Sequence, residues 1–133
     1  MDYPTKASVR GLVEKLGLPV PDEFSQDWEY EVADASAVED LLDAYQSRTD
    51  LSLEEKFTLM RIIIESMNDA LSTEIGPLHL TTLKRVLLED YELHSSTLDS
   101  WADWDQEAIE DSSDMTPIVR EIIAMAKGRS RSS

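Results

Sequence analysis

The segment 53–71 limits the possible folds of this chain more than any other feature of its sequence. Its apolar residues recur at helical spacing, and at about 100° per residue they cover an arc of roughly 220°. That arc contains Leu53, Phe57, Met60, Ile64, Met67 and Leu71, widened by Leu59, Ile62 and Ile63. So wide an apolar arc needs neighbours on more than one side. We therefore predict a central helix with other helices packed around it.

Start and stop signals predict further helices on both sides of this segment. Ser52 with Glu55, and Ser36 with Glu39, have the spacing of a capping box, and Pro117 after Thr116 marks another helix start. Before the central segment, we expect a helix over about 5–16, ended by Gly17, and a second helix that starts at Ser36 and has the apolar stripe Val38, Leu41, Leu42 and Tyr45. After it, we expect a break at Gly76-Pro77, a helix over about 81–91 and a short helix from Ser96. The last helix is expected from Thr116 to Gly128, with the apolar stripe Ile118, Ile122 and Met125.

Alternation typical of a strand is confined to 27–32, where Trp28, Tyr30 and Val32 would face one way. The sequence therefore predicts an all-α fold, a single compact bundle of five or six helices, with at most one short extended segment near 27–32. We expect one helical domain over 1–133, with a frayed basic tail at 128–133.

The charge of the chain limits its partners. Asp and Glu outnumber Lys and Arg by 28 to 12, so the formal net charge is −16. Arg48 is the only base in 20–55, and 89–114 contains no Lys or Arg. Because such a surface repels phosphates and anionic membranes, we expect neither direct nucleic-acid binding nor a membrane. The chain has no cysteine, and its start does not resemble a signal peptide, so we expect a cytoplasmic protein.

The acidic stretch 103–114 is the strongest candidate for a metal site. Asp103, Asp105, Glu107, Asp111 and Asp114 match the carboxylate spacing of a calcium-binding loop. However, position six of that loop, where the turn needs Gly, is occupied by alanine. We therefore expect no metal and no cofactor, and a metal-binding or enzymatic protein using 103–114 stays an alternative.

No motif for catalysis accompanies these acids. The sequence contains no Gly-rich phosphate loop and no strained nucleophile turn around a serine. For His94 we expect a structural role, packing or capping at the junction before Ser96. We expect a protein that is not an enzyme.

Aromatic residues beside carboxylates suggest a surface for a basic protein, because tryptophan and tyrosine anchor interfaces and acids attract cations. The candidate partner-binding residues are Trp28, Tyr30, Asp40, Asp43, Trp104, Asp105 and Glu107. Carboxylates that imitate phosphates, and so block a DNA-binding protein, are the alternative. The oligomeric state stays open, because a second subunit could complete the wide apolar arc.

Three short segments carry a family resemblance: 55–60 (EKFTLM), 94–101 (HSSTLDSW) and 116–120 (TPIVR). They resemble small bacterial proteins, some of them of the toxin-immunity type. The resemblance implies a bacterial, cytoplasmic, helical protein and supplies no catalytic residues. Together with the charge, it suggests a non-catalytic acidic domain that binds, and so neutralises, a basic partner such as a toxin.

Overall fold

The computed structural model describes residues 6–17, 38–71, 73–102 and 115–131. Within them the chain forms six helices and no strand, which confirms the all-α prediction. The helices are α1 (Lys6–Leu16), α2 (Val38–Ser47), α3 (Leu53–Ala70), α4 (Ile75–Glu89), α5 (Tyr91–Ala102) and α6 (Met115–Arg131). The possible extended segment at 27–32 lies outside the described residues. In the part of the chain that the structure describes, no helix has the length and hydropathy to cross a bilayer.

Helix α3 is the centre of the bundle, as its apolar arc predicts. It contacts each of the other five helices, and Phe57, Met60, Ile64 and Met67 are fully buried. Its start is the predicted capping box: the Ser52 hydroxyl accepts from the Glu55 amide, and the Glu55 carboxylate accepts from the Ser52 amide. Leu53 does not join the core and is 65% exposed. It lies in the first turn of α3, where it lines a surface pocket and is not packed against another of the described helices.

The predicted stripe of α2 and the end of α1 are also confirmed. Val38, Leu41, Leu42 and Tyr45 are buried. Helix α1 ends at Leu16, and Gly17 follows with a φ of 67°, a left-handed conformation that favours glycine. The proposed cap at Ser36 lies outside the described residues.

Helix α4 begins at Ile75, so the predicted break at Gly76-Pro77 and start near 81 are wrong. Both residues lie in the first helical turn, where amide groups have no partner within the helix and proline is therefore tolerated. Gly76 is required by a close approach, because a Cβ there would lie 2.6 Å from the carbonyl oxygen of Ala70.

Helix α5 begins at Tyr91, and Ser96 lies in its interior, so the predicted start at Ser96 is wrong. His94, Thr97 and Leu98 are buried on its inner face. Burial of that face outweighs the weak helix propensity of the Ser- and Thr-rich run. His94 packs in the core as expected, but it does not cap a helix.

Helix α6 starts at Met115 and passes through Gly128 to Arg131, beyond its predicted end. Its buried apolar residues are Met115, Val119, Ile122, Ile123 and Ala126. Met125, assigned to the inner stripe by the sequence, is 44% exposed. The apolar run 122–126 spans more than one side of the helix, which left the choice of inner face to tertiary packing.

Candidate binding pocket beside a buried histidine

The negative charge is distributed unevenly between the described helices and the rest of the chain. The described residues contain all 12 Lys and Arg and 15 of the 28 Asp and Glu, a formal charge of −3. The other 13 acids, and no base, lie outside these ranges. The helices alone are therefore only mildly acidic, and most of the net charge belongs to residues such as 18–37 and 103–114.

Of the seven predicted partner-binding residues, Asp40 and Asp43 are described. Both are exposed on α2, opposite its buried stripe, together with Glu39. No described residue forms a salt bridge with any of these three carboxylates. Trp28, Tyr30, Trp104, Asp105 and Glu107 lie outside the described residues, as does the candidate calcium loop at 103–114.

A pocket of about 470 Å³ opens where the chain turns at Asp90 between α4 and α5. Its walls combine aliphatic and charged side chains, and the lining residues are Leu53, Lys56, Leu88, Glu89, Asp90, Tyr91, Glu92, Leu93 and Ala126. Glu89 is paired with Arg85 at 3.3 Å, whereas no described residue forms a salt bridge with Asp90 or Glu92. The pocket therefore offers two carboxylates that are not used in ion pairs within this part of the chain.

Asp90 is connected to the core through a chain of hydrogen bonds. The Tyr45 hydroxyl donates to Asp90 Oδ2 at 2.6 Å and lies 2.7 Å from His94 Nε2. Because an ionised carboxylate can only accept, the single phenolic proton points at Asp90. His94 Nε2–H must then donate to the Tyr45 oxygen, and this fixes the imidazole in its Nε2–H tautomer.

The two buried members of this hydrogen-bonded group, Tyr45 and His94, stay neutral at ordinary pH. Burial lowers the pKa of His94 to about 4; the charge of Asp90 opposes this shift, and that of Lys56 adds to it. Burial, followed by the hydrogen bond and the charge of Asp90, raises the pKa of Tyr45. The phenol therefore keeps its proton, and the charge of the arrangement resides on Asp90 at the pocket.

Aromatic packing holds His94 in place. The Phe57 ring is nearly parallel to the imidazole, with 6.4 Å between the ring centroids. Beside it, the Lys56 ammonium lies 5.7 Å from the centroid of the Tyr45 ring. His94 is fully buried, and its Nδ1 has no hydrogen-bond partner among the described residues. Because His94 is shielded from solvent, its role in this arrangement is to orient Tyr45 and, through it, Asp90.

A buried carboxylate, that of Glu55, lies on the other side of α3 and is used within the fold. Lys15 of α1 reaches Glu55 Oε1 at 2.8 Å, and that oxygen also accepts from the Ser52 amide. Burial by itself would raise the pKa of Glu55, but the hydrogen bonds from Lys15 and Ser52 outweigh it and lower the pKa. Gly11 leaves room for this carboxylate, because a Cβ there would lie 2.8 Å from Glu55 Cδ.

Among the described residues, no group of three or more His, Asp or Glu side chains is placed so that it could hold a metal ion.

Sequence reasoning did not find the connection of Tyr45, Asp90 and His94. These residues are 45 and 49 positions apart along the chain, and no local pattern joins them. A buried tyrosine and a buried histidine, both needing polar partners, were the only available signal.

Comparison with models of protein families, with curated proteins and with solved structures finds no match for this chain. The chain is an all-α protein with a charged surface pocket. The resemblance to immunity proteins stays a prediction.

Proposed function

We propose that this chain is a non-catalytic binding protein that captures a basic protein, in the manner of a domain that neutralises a basic toxin. One observation carries the proposal: carboxylates on α2 and at the Asp90 turn are accessible and have no salt bridge within the described residues. By contrast, Glu55, the buried carboxylate that the fold needs, is paired.

The two acidic surfaces lie on neighbouring elements. Helix α2 contacts α4 through the hydrogen bond from Arg85 to Gln46, and it reaches the Asp90 turn through Tyr45. Charges of one sign on adjacent surfaces raise the rate of encounter with a partner of opposite sign and repel partners of the same sign. The net charge of −16 strengthens this field beyond what the described helices supply.

The absence of cysteine in the sequence suits a partner met in a reducing compartment, and we propose the cytoplasm. The aromatic residues Trp28, Tyr30 and Trp104 belong to the proposal as anchors of the partner, and Asp105 and Glu107 as part of its acidic surface.

Affinity purification from the native cells tests this proposal. The full chain is immobilised, bound proteins are eluted with a salt gradient, and the double variant Asp40→Asn/Asp43→Asn serves as the comparison. We expect one abundant protein of high isoelectric point, released by salt and retained less by the variant. A matched variant, Lys84→Met, removes a charge of the opposite sign and should not weaken retention.

Two results would overturn the proposal. One is recovery of only acidic or neutral proteins. The other is a basic protein that the Asp40→Asn/Asp43→Asn variant retains as strongly as the unaltered chain. If the captured protein binds DNA and duplex DNA displaces it, the function is instead that of a nucleic-acid mimic.

A further inference from the structure

We propose that the pocket at the Asp90 turn receives an arginine side chain of the basic partner. This inference rests on the proposed function and adds the residue that the partner inserts. The pocket is concave, and its walls supply the two kinds of surface that an arginine presents.

The aliphatic wall suits the stem of such a side chain. Leu53, Leu88, Leu93 and Ala126 line the pocket, and Leu53 is 65% exposed at its edge. Exposure of this apolar side chain to water is unfavourable, so binding is favoured by about 25 cal/mol for each Å² of Leu53 that a partner covers. Long cationic side chains lay their methylene groups along apolar surfaces of this kind while the charged group stays polar.

The carboxylates suit the guanidinium group. Asp90 uses Oδ2 to accept from Tyr45, and no described residue donates to Oδ1. Glu92 is exposed on the adjacent turn. Because the Tyr45 hydrogen bond fixes the orientation of Asp90, less side-chain entropy is lost when a partner binds. Guanidinium donates in a planar fork that can bridge two acceptors, which favours arginine over lysine at such a site.

Lys56 also lines the pocket and limits what can enter. Its ammonium lies 5.7 Å from the centroid of the Tyr45 ring and repels a second compact ammonium group. Guanidinium spreads its charge over a plane and is more weakly hydrated, so this repulsion weighs less against arginine.

Titration with three capped tripeptides, followed by NMR of backbone amides, tests the inference. Each peptide has two leucines around a central residue, which is arginine, lysine or citrulline. Citrulline has nearly the shape of arginine without its charge. We expect the arginine peptide to shift the amides of 88–93 and Lys56, with a Kd at least about tenfold lower than for citrulline, and lysine between them.

Single variants of the pocket locate the site. Asp90→Asn and Glu92→Gln should each raise the Kd of the arginine peptide about five- to tenfold, the loss expected for one charge-assisted hydrogen bond. Leu53→Ala should raise it about threefold and is tolerated by the fold, because this side chain is mostly in water. Glu74→Gln is the matched control: it removes an exposed charge at the opposite end of α4 and should change the Kd by less than twofold.

Three outcomes would overturn the inference. They are equal binding of arginine and citrulline peptides, equal effects of Glu92→Gln and Glu74→Gln, and shifts at 88–93 that depend on protein concentration without peptide. The last would show a second copy of this chain in the pocket. In each case the proposed capture of a basic protein is judged separately, by salt elution and by the Asp40→Asn/Asp43→Asn variant.

Discussion

The two sides of helix α3 use a carboxylate in different ways. Towards α1, Glu55 is 6% exposed and holds the Lys15 ammonium and the Ser52 amide. Towards α2 and α5, Asp90 accepts from Tyr45 and borders an open pocket. The first carboxylate joins α1 to α3 and also caps the start of α3. The second is oriented by the core yet remains accessible to another molecule. The difference separates an acid required by the fold from an acid available for binding.

The largest effect on the Glu55 side is expected from Gly11→Ala. The added methyl group would meet the Glu55 carboxylate, whose Cδ would be 2.8 Å away, and would displace it from Lys15. Alanine gains about 1 kcal/mol over glycine inside a helix, but overpacking and a disrupted, mostly buried ion pair should outweigh this gain and leave a net cost of about 3 kcal/mol of the free energy of unfolding. Urea denaturation at pH 7 measures this loss.

Gly128→Ala is the control for this substitution. Nothing lies within 4 Å of a Cβ at Gly128, which is in a helix, so alanine should stabilise the protein by about 0.5 kcal/mol. A Gly11→Ala variant as stable as the unaltered chain would show that Glu55 can move without cost.

The next effect is a loss of stability in mild acid, caused by His94 on the other side of α3. Burial lowers its pKa from 6.5 to about 4, so between these values the unfolded chain binds the additional proton. The stabilising contribution is complete above pH 6.5 and is lost as the pH falls towards 4. Between pH 7 and 4.5 it should amount to about 2 kcal/mol.

Denaturation curves at pH 7, 5.5 and 4.5 measure this effect as a difference between variants. His94→Phe keeps the ring and removes the titrating group, so its stability should fall less steeply with acid. His79→Gln removes the other histidine, which is not part of the hydrogen-bonded group of Tyr45, Asp90 and His94. The stability of this variant should fall with acid as steeply as that of the unaltered chain. Parallel pH profiles for the unaltered chain and His94→Phe would contradict the neutral, buried imidazole.

Glu55→Gln should cost about 2 kcal/mol of stability at pH 7, because it removes the partner of Lys15 and weakens the start of α3. The pKa of Glu55 is lowered in the folded protein, so its contribution is present at neutral pH and is lost in acid, below about 4.5. The stability difference between Glu55→Gln and the unaltered chain should therefore shrink as the pH falls.

Asp90→Asn is the matched comparison, since an amide oxygen can still accept from Tyr45. It should cost less than about 1 kcal/mol. Equal losses from the two substitutions would remove the distinction between a structural and an available carboxylate.

Tyr45→Phe should cost about 1 kcal/mol of stability, because the ring keeps its buried contacts while His94 loses its hydrogen-bond partner. The same change frees Asp90 to rotate, so it should also weaken binding of the arginine peptide about two- to threefold. Both quantities are measured on one sample, by denaturation and by NMR titration. A change in stability without a change in binding would show that Tyr45 does not position Asp90.

The sequence predicted the parts of the fold that depend on local signals. The arc of α3, the Ser52–Glu55 cap and the stripe of α2 are encoded within a few turns, and each is confirmed. The predicted start of α4 was wrong because a Gly-Pro pair can either interrupt a helix or occupy its first turn. Packing against Ala70 decides between these, and that contact is absent from any local pattern.

The candidate site was less accessible to sequence reasoning. Exposed acids of α2 could be found from amphipathic spacing, and Asp40 and Asp43 are exposed there; their role in binding stays a prediction. The pocket joins α3, α4, α5 and α6, and Asp90 is held by a residue 45 positions away. Such a site depends on how helices meet, which composition and periodicity do not specify.

The most direct test of the central claim is the association rate of the chain with its purified basic partner as a function of ionic strength. If accessible carboxylates steer the encounter, the rate constant should fall at least about tenfold between 20 and 500 mM salt, while the dissociation rate changes much less. A rate constant that is the same at both salt concentrations would contradict capture through the acidic surface.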